Sequence, residues 1–129
     1  MPTGRKVIAI IDDDLDVLAA IERLLASLGY KTEAYASATE FIDAVMTSEA
    51  ACVVSDVHLG DTTGVEMARH LVALGFTLPT IFMTASQDPA LRKQAMDLGC
   101  IAYLQKPFPK DQLAQALVKA IGRHLNGLC

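Results

Sequence analysis

A chain of 129 residues fits one domain, and folding at that length buries roughly two thirds of the surface the unfolded chain exposes, so no disulfide or metal staple is needed. With 52% apolar and 20% charged residues it is core-rich, which excludes a disordered or low-complexity chain. A formal net charge of -4 supplies no basic stripe, so direct nucleic-acid contact by this chain is not expected.

Short apolar runs alternate with stretches of helical spacing along the chain, so strands and helices are predicted in turn. Val7 to Ile11 is a near-continuous β-branched run, as for a strand covered on both faces. Leu15, Leu18, Ile21, Leu25 and Leu28 then predict a helix that Gly29 stops. Lys31 to Tyr35 is a more polar strand suited to a sheet edge, and Ser37-Ala38-Thr39-Glu40 is a capping box opening a helix through Phe41, Ile42 and Val45 to near Thr47. Cys52 to Ser55 predicts a strand ending on Asp56. After a polar, glycine-containing loop, a second capping box, Thr63-Gly64-Val65-Glu66, opens a helix to about Leu74. Thr80 to Thr84 is a fourth strand, and Asp88-Pro89 gives an N-cap and a first-turn proline for a helix to Leu98, stopped by Gly99. Ile101 to Gln105 is a fifth strand, followed by Lys106-Pro107-Phe108-Pro109 and a last helix carrying Leu113, Leu117, Val118, Ile121 and Leu125. The expected organisation is an N-terminal tail at 1–6, one domain over 7–122, and the end of the last helix with a C-terminal tail at 123–129.

Cys52, Cys100 and Cys129 are odd in number and lack CxxC or Cys/His spacing, so neither a disulfide framework nor a zinc site is expected, and a reducing compartment fits. Cys52 and Cys100 read as small core residues and Cys129 as an exposed terminal thiol. MPTGRK leads into no apolar run long enough for a signal peptide, and nothing approaches the ~20 apolar residues of a spanning helix. The expectation is a cytoplasmic protein with no membrane partner.

Five βα units with buried strands imply the α/β class, a doubly wound parallel sheet with helices on both faces. Functional groups in such sheets gather outside the carboxyl ends of the strands. Asp12 and Asp13 end the first strand, Asp56 the third, Thr84 the fourth, and Lys106 follows the fifth, so all five fall on one rim. Carboxylates gathered there repel by about 4 kcal/mol per pair at ~4 Å and an effective dielectric of ~20. A hard divalent cation offsets this, and Mg²⁺ suits a site of one or two carboxylates that keeps waters and leaves positions for phosphate oxygens. A cation, a lysine, a hydroxyl and a carboxylate nucleophile are the parts a phosphoryl group needs while it transfers. A calcium loop competes for the aspartate run, but Val17 stands where its turn needs glycine and Arg23 where a bidentate glutamate belongs. Asp14 and Asp16 read as a solvated helix N-terminus, favoured by its dipole, and His58, His70 and His124 as solvent-facing.

Asp12-Asp13 after VIAII, Asp56 in VVSDVHLGDTTG, Thr84-Ala85 in IFMTA, and Tyr103 with Lys106-Pro107-Phe108 in YLQKPF together resemble the CheY-like receiver domain of two-component response regulators over residues 6 to 122. YASATEFIDA and the surroundings of IFMTA are similar to receivers of LuxR/FixJ-type regulators. The resemblance implies a flavodoxin-like (βα)5 sandwich of strand order 2-1-3-4-5. It also implies that Asp56 accepts a phosphoryl group from the phosphohistidine of a sensor histidine kinase or phosphotransfer protein. Mg²⁺, for which Mn²⁺ would substitute, would be bound by Asp13, Asp56 and the backbone carbonyl of His58, with Asp12 acting mostly through water. Lys106 would pair with one phosphoryl oxygen and Thr84 would move to bond another. Tyr103 would then swing inward and couple the site to the surface of the fourth helix, fifth strand and fifth helix. That surface would act on an output domain or partner, with a homodimer as one outcome of phosphorylation. Such a protein is no conventional enzyme: it assists its own phosphotransfer and aspartyl-phosphate hydrolysis. The Lys106-Pro107 bond is typically cis in such domains.

Gly60 departs from the family's usual proline, which would loosen the loop after Asp56, while His58 and Ser86 occupy positions that tune acyl-phosphate hydrolysis. Ser55, polar in an apolar strand, has no functional account in the sequence. Two other readings compete. Haloacid-dehalogenase-type phosphatases carry a strand-end D-x-D-x-T, but the threonine is missing here and 129 residues leave little room for that core. A binding module that keeps the fold without phosphorylation is distinguished only by labelling.

Overall fold

The computed structural model describes residues 6–60 and 62–126, with side chains to Gly122. The elements alternate as β1 (Val7–Ile11), α1 (Leu15–Ser27), β2 (Lys31–Tyr35), α2 (Ala38–Ala44), β3 (Ala50–Asp56), α3 (Gly64–Ala73), β4 (Thr80–Thr84), α4 (Pro89–Asp97), β5 (Ala102–Gln105) and α5 (Lys110–Asn126). All strand pairs are parallel and the order is β2-β1-β3-β4-β5, the expected flavodoxin-like α/β arrangement. Residues 1–5 of the expected N-terminal tail, Cys129 and the His124 side chain lie outside what is described. No helix among the described residues is long and apolar enough to cross a membrane.

The pleat divides the apolar strand residues between two cores. Ile8 and Ile10 pack with Leu18, Ile21 and Leu25 of α1 and Leu113 and Leu117 of α5. Their neighbours Ala9 and Ile11 pack on the other face with Phe41 of α2 and Met67 and Leu71 of α3. Phe82 of β4 packs there too, against Val65 of α3 and Ala95 of α4. Each fully buried Ile or Leu contributes roughly 1.5–3 kcal/mol relative to an exposed one, so the central strands anchor the sheet and hold its ends in place. β2, half exposed, is the edge that its polar sequence predicts.

Helix starts follow their caps. Asp14 accepts from the amides of Asp16 and Val17, so the third aspartate of the run is an N-cap, and Asp16 lies in the first turn, as their sequence predicts. Ser37 accepts from Glu40 N–H and Thr63 from Glu66 N–H, each at 3.1 Å. The return arms of both capping boxes differ from expectation. Glu40 accepts from Ala36 N–H, one residue further out, and Glu66 pairs with Arg69 instead. α2 ends at Ala44 and its last expected turn, Val45–Thr47, tightens to a 3-10 turn in which Ser48 N–H and the Thr47 hydroxyl take up terminal carbonyls. β3 starts at Ala50 rather than Cys52, and β5 at Ala102 rather than Ile101.

Candidate functional site

Register assembles the rim. Ile11 lies opposite Ser55, Asp56 opposite Met83, and Thr84 opposite Gln105, so the residues at or just past these strand ends meet above the sheet. Lys106 N–H donates to the Thr84 carbonyl at 2.7 Å, which brings the lysine back over the central strands, and its bond to Pro107 is cis. The Lys106 ammonium donates to Asp56 Oδ2 at 2.6 Å and to Asp12 Oδ2 at 3.3 Å. Three residues remote in sequence thus form one charge cluster.

Asp12 is 1% exposed, and its other oxygen accepts from Asp14 N–H at 2.9 Å. Burial raises its carboxyl pKa above the usual value, outweighing the Asp14 amide and the Lys106 charge, while Asp56 pushes the same way. For Lys106, burial works against the charge, but the Asp56 hydrogen bond and the Asp56 and Asp12 charges together raise its pKa. Asp56 keeps 14% side-chain exposure, and its Oδ1 accepts from His58 N–H at 2.8 Å. The phosphoacceptor candidate is therefore held on both oxygens and still reachable from solvent.

Asp13 is exposed and joins neither the lysine nor its acidic neighbours by a hydrogen bond among the described residues. Its Oδ2 lies 3.7 Å from where a Cβ on Gly60 would sit, against the loop that follows Asp56. The described residues on either side of that glycine are hydrogen-bonded across the loop. Leu59 N–H donates to Thr62 O at 3.0 Å, Gly64 N–H to Val57 O at 2.7 Å, and the Leu59 side chain is buried. Gly60 has φ of 79°, which proline cannot adopt, so the glycine permits a turn closed to the family's usual proline.

Thr84 is fully buried and its hydroxyl accepts from Ser86 N–H at 2.9 Å. The Tyr103 hydroxyl is buried without a hydrogen-bond partner among the described residues, while the Arg92 guanidinium of α4 lies 5.6 Å from its ring centroid. Burial raises the Tyr103 pKa, Arg92 lowers it, the Asp88 charge raises it again, and the Thr84 hydroxyl, near the phenol though not in hydrogen-bonding geometry with it, lowers it. The tyrosine is thus already turned inward, between α4 and the end of β4. His58 and His70 are exposed, as expected. Cys52 is fully buried, with its thiol pushed up to about 12 chiefly by burial, and Cys100 is half-buried.

Among the described residues no three His, Cys, Asp or Glu side chains are grouped to hold a metal ion by themselves. The donors at the rim are all oxygens and too few for an all-protein cage. That chemistry fits Mg²⁺, which binds through one or two carboxylates and retains waters. Asp12, Asp13 and Asp56 against Lys106 alone leave the rim with excess negative charge that a divalent cation would neutralise. Sequence reasoning marked Ser55 as a polar residue in an apolar strand without giving it a role; it missed the approach of Gly64 to the same Asp56 carbonyl and the Arg92–Tyr103 contact, which no local pattern marks.

The family model for the response regulator receiver domain matches residues 8–118. The chain is 33% identical over 121 residues to the response regulator protein TodT of Pseudomonas putida, covering 94% of this chain and 53% of TodT. It is 34% identical over 119 residues to the transcriptional regulatory protein FixJ of Bradyrhizobium diazoefficiens, covering 92% of this chain and 58% of FixJ. It therefore spans little more than half the length of these curated relatives. The crystal structure of a response regulator receiver protein from Burkholderia phymatum matches with a TM-score of 0.80 and 34% identity, covering 92% of this chain and 96% of that one. With the rim geometry in place and the match spanning nearly the whole domain, the chain belongs to the receiver domain family of two-component response regulators.

Proposed function

We propose that this domain is a phosphorylation-dependent switch in which Asp56 takes a phosphoryl group from the phosphohistidine of a sensor histidine kinase or phosphotransfer protein. The observation that carries the reading is the 2.6 Å contact between Lys106 Nζ and Asp56 Oδ2, on a carboxylate that remains partly exposed. An Asp56 oxygen attacks phosphorus, the O–P bond forms as the N–P bond breaks, and the imidazole nitrogen leaves with the electron pair. The product is an acyl phosphate. Asp13, Asp56 and the His58 carbonyl would hold Mg²⁺, with Mn²⁺ able to replace it, and Asp12 would act through water; the ion would supply positive charge to the equatorial oxygens.

Once phosphate is attached, the Lys106 ammonium passes from carboxylate to a phosphoryl oxygen, and Thr84 leaves the Ser86 amide to reach another. Moving a two-state equilibrium from 1:99 to 99:1 takes about 5.5 kcal/mol, and charge-assisted hydrogen bonds contribute roughly 1.5–3 kcal/mol each, so two to four such contacts are enough. Tyr103, held between Thr84 and α4, passes the rearrangement to the α4–β5–α5 surface, where an output domain, a partner or a second copy would read it. The His58 side chain, exposed beside the acceptor, tunes the lifetime of the acyl phosphate, so His58→Ala is expected to change its decay rate several-fold. A cytoplasmic setting belongs to the same reading.

Incubation with acetyl phosphate and Mg²⁺, followed by intact-mass measurement, tests the chemistry. The wild type is expected to gain one phosphate and Asp56→Asn none. Continuous turnover of p-nitrophenyl phosphate, or equal labelling of both proteins, would overturn it.

A further inference from the structure

Ser55 is completely buried in β3, immediately before the phosphoacceptor candidate. Its hydroxyl donates to the backbone carbonyl of Asp56 at 2.8 Å. The same carbonyl is approached by Gly64, the first residue of α3, so closely that a Cβ there would stand 2.5 Å from it, 3.0 Å from Ser55 Oγ and 3.1 Å from Phe82 Cε1. The backbone just beyond Asp56 is tied on both sides. Val57 N–H donates to Met83 O at 3.0 Å, and Val57 O accepts from Gly64 N–H at 2.7 Å.

We propose that Ser55 and Gly64 are positioning residues for phosphoryl acceptance. They clamp the Asp56 main chain so that its carboxylate is presented to Lys106 and to the His58 amide at 2.6 and 2.8 Å. The inference rests on Asp56 as the acceptor. Among the described residues neither one hydrogen-bonds the carboxylate; both act through the carbonyl of the same residue. Packing alone does not call for a hydroxyl here, because alanine would fill a strand position between Val54 and Asp56 without burying a polar group. A carboxylate moves with its main chain, and a misplacement of about 1 Å in a reacting group can slow a step on the order of a hundredfold. A partly released carbonyl shifts the carboxylate by less, so the expected loss is on the order of tenfold.

The test follows labelling by acetyl phosphate with Mg²⁺ in wild type, Ser55→Ala, Ser55→Thr and Gly64→Ala, with rates normalised to the folded fraction. Ser55→Ala is expected to slow the saturated labelling rate on the order of tenfold at an unchanged half-saturating donor concentration, and Ser55→Thr, which keeps the hydroxyl, to restore it. Gly64→Ala, whose methyl displaces the same carbonyl, is expected to slow it at least as much in its folded fraction. In metal-free protein the Val57 and His58 amides are expected to exchange faster in Ser55→Ala than in wild type. Ser55→Ala labelling at the wild-type rate, or Ser55→Thr failing to rescue it, overturns this inference while leaving Asp56 as acceptor. A wild type that takes up no phosphate overturns the acceptor reading and this inference with it.

Discussion

Two partly buried carboxylates, Asp56 at the end of β3 and Glu33 in the edge strand β2, are held by opposite means. Among the described residues, Glu33 accepts only from neutral donors: the Tyr35 hydroxyl at 2.9 Å, the Ser48 hydroxyl at 2.6 Å and the Glu49 amide at 3.2 Å. Asp56 accepts from one amide and one ammonium, and the ammonium is shared with Asp12. Neutral donors that bring β2 and the turn before β3 together make a carboxylate into a tie. A charged donor shared with a second carboxylate leaves one that could exchange partners in the proposed phosphorylation, and this, more than burial, would separate a structural acid from a reactive one.

The sharpest test of that division is Glu33→Gln set beside Asp56→Asn. The first is expected to destabilise the fold by about 1–2 kcal/mol in chemical denaturation, because an amide replaces a charged acceptor, while acetyl phosphate labelling stays within about twofold of wild type. The second removes labelling altogether. Loss of labelling in Glu33→Gln would break the comparison.

Asp12 sharpens it from the other side. Its pKa is raised in the fold, by burial above all, so its proton-linked stabilisation is present below the ordinary value of 3.8 and is lost as pH rises through the folded-state value. At neutral pH the ionised carboxylate therefore burdens the fold, which accords with its part in the proposed phosphorylation site rather than in stability. Asp12→Asn is expected to stabilise the unphosphorylated protein at neutral pH, raising its Tm by a few degrees, with the gain shrinking in acid. Thermal melts at neutral pH and near pH 4 measure both, and a neutral or destabilising Asp12→Asn at pH 7 would show that the Lys106 pairing outweighs burial.

The same contrast explains what the sequence disclosed. Asp12, Asp56 and Thr84 each end an apolar run and Lys106 follows one, so strand starts expected at Cys52 and Ile101 but found at Ala50 and Ala102 left the strand ends at the rim in their expected place. Caps were legible for the same reason, since Asp14, Ser37, Thr63 and Asp88 act within two or three residues. The hidden features depend on neighbours far along the chain. Ser48 and Glu49 reach Glu33 from 15 and 16 residues away. The need for glycine at position 64 arises from the approach of α3 to Phe82 and the Asp56 carbonyl. The inward Tyr103 depends on how α4 packs over β5, which no periodicity encodes.

The smallest effect lies in Tyr35, the partner of Glu33. Its phenol is pushed up to about 12, first by burial, then by the hydrogen bond to Glu33 and the Glu33 charge. The neutral phenol is the form the fold prefers, so its contribution is fully present below the ordinary value of 10.0 and is lost as pH rises toward the folded-state value. Glu33→Gln removes the charge but not the burial. The tyrosinate absorbance of Tyr35, isolated by comparison with Tyr35→Phe, is therefore expected to titrate between 10.0 and about 12 in that variant. An unchanged titration would mean that burial alone sets the phenol and that the Glu33 tie is electrostatically idle. A fall all the way to the ordinary value would mean the opposite, that the carboxylate rather than the apolar contact with Phe41, ring centroids 5.1 Å apart, holds Tyr35 at the sheet edge.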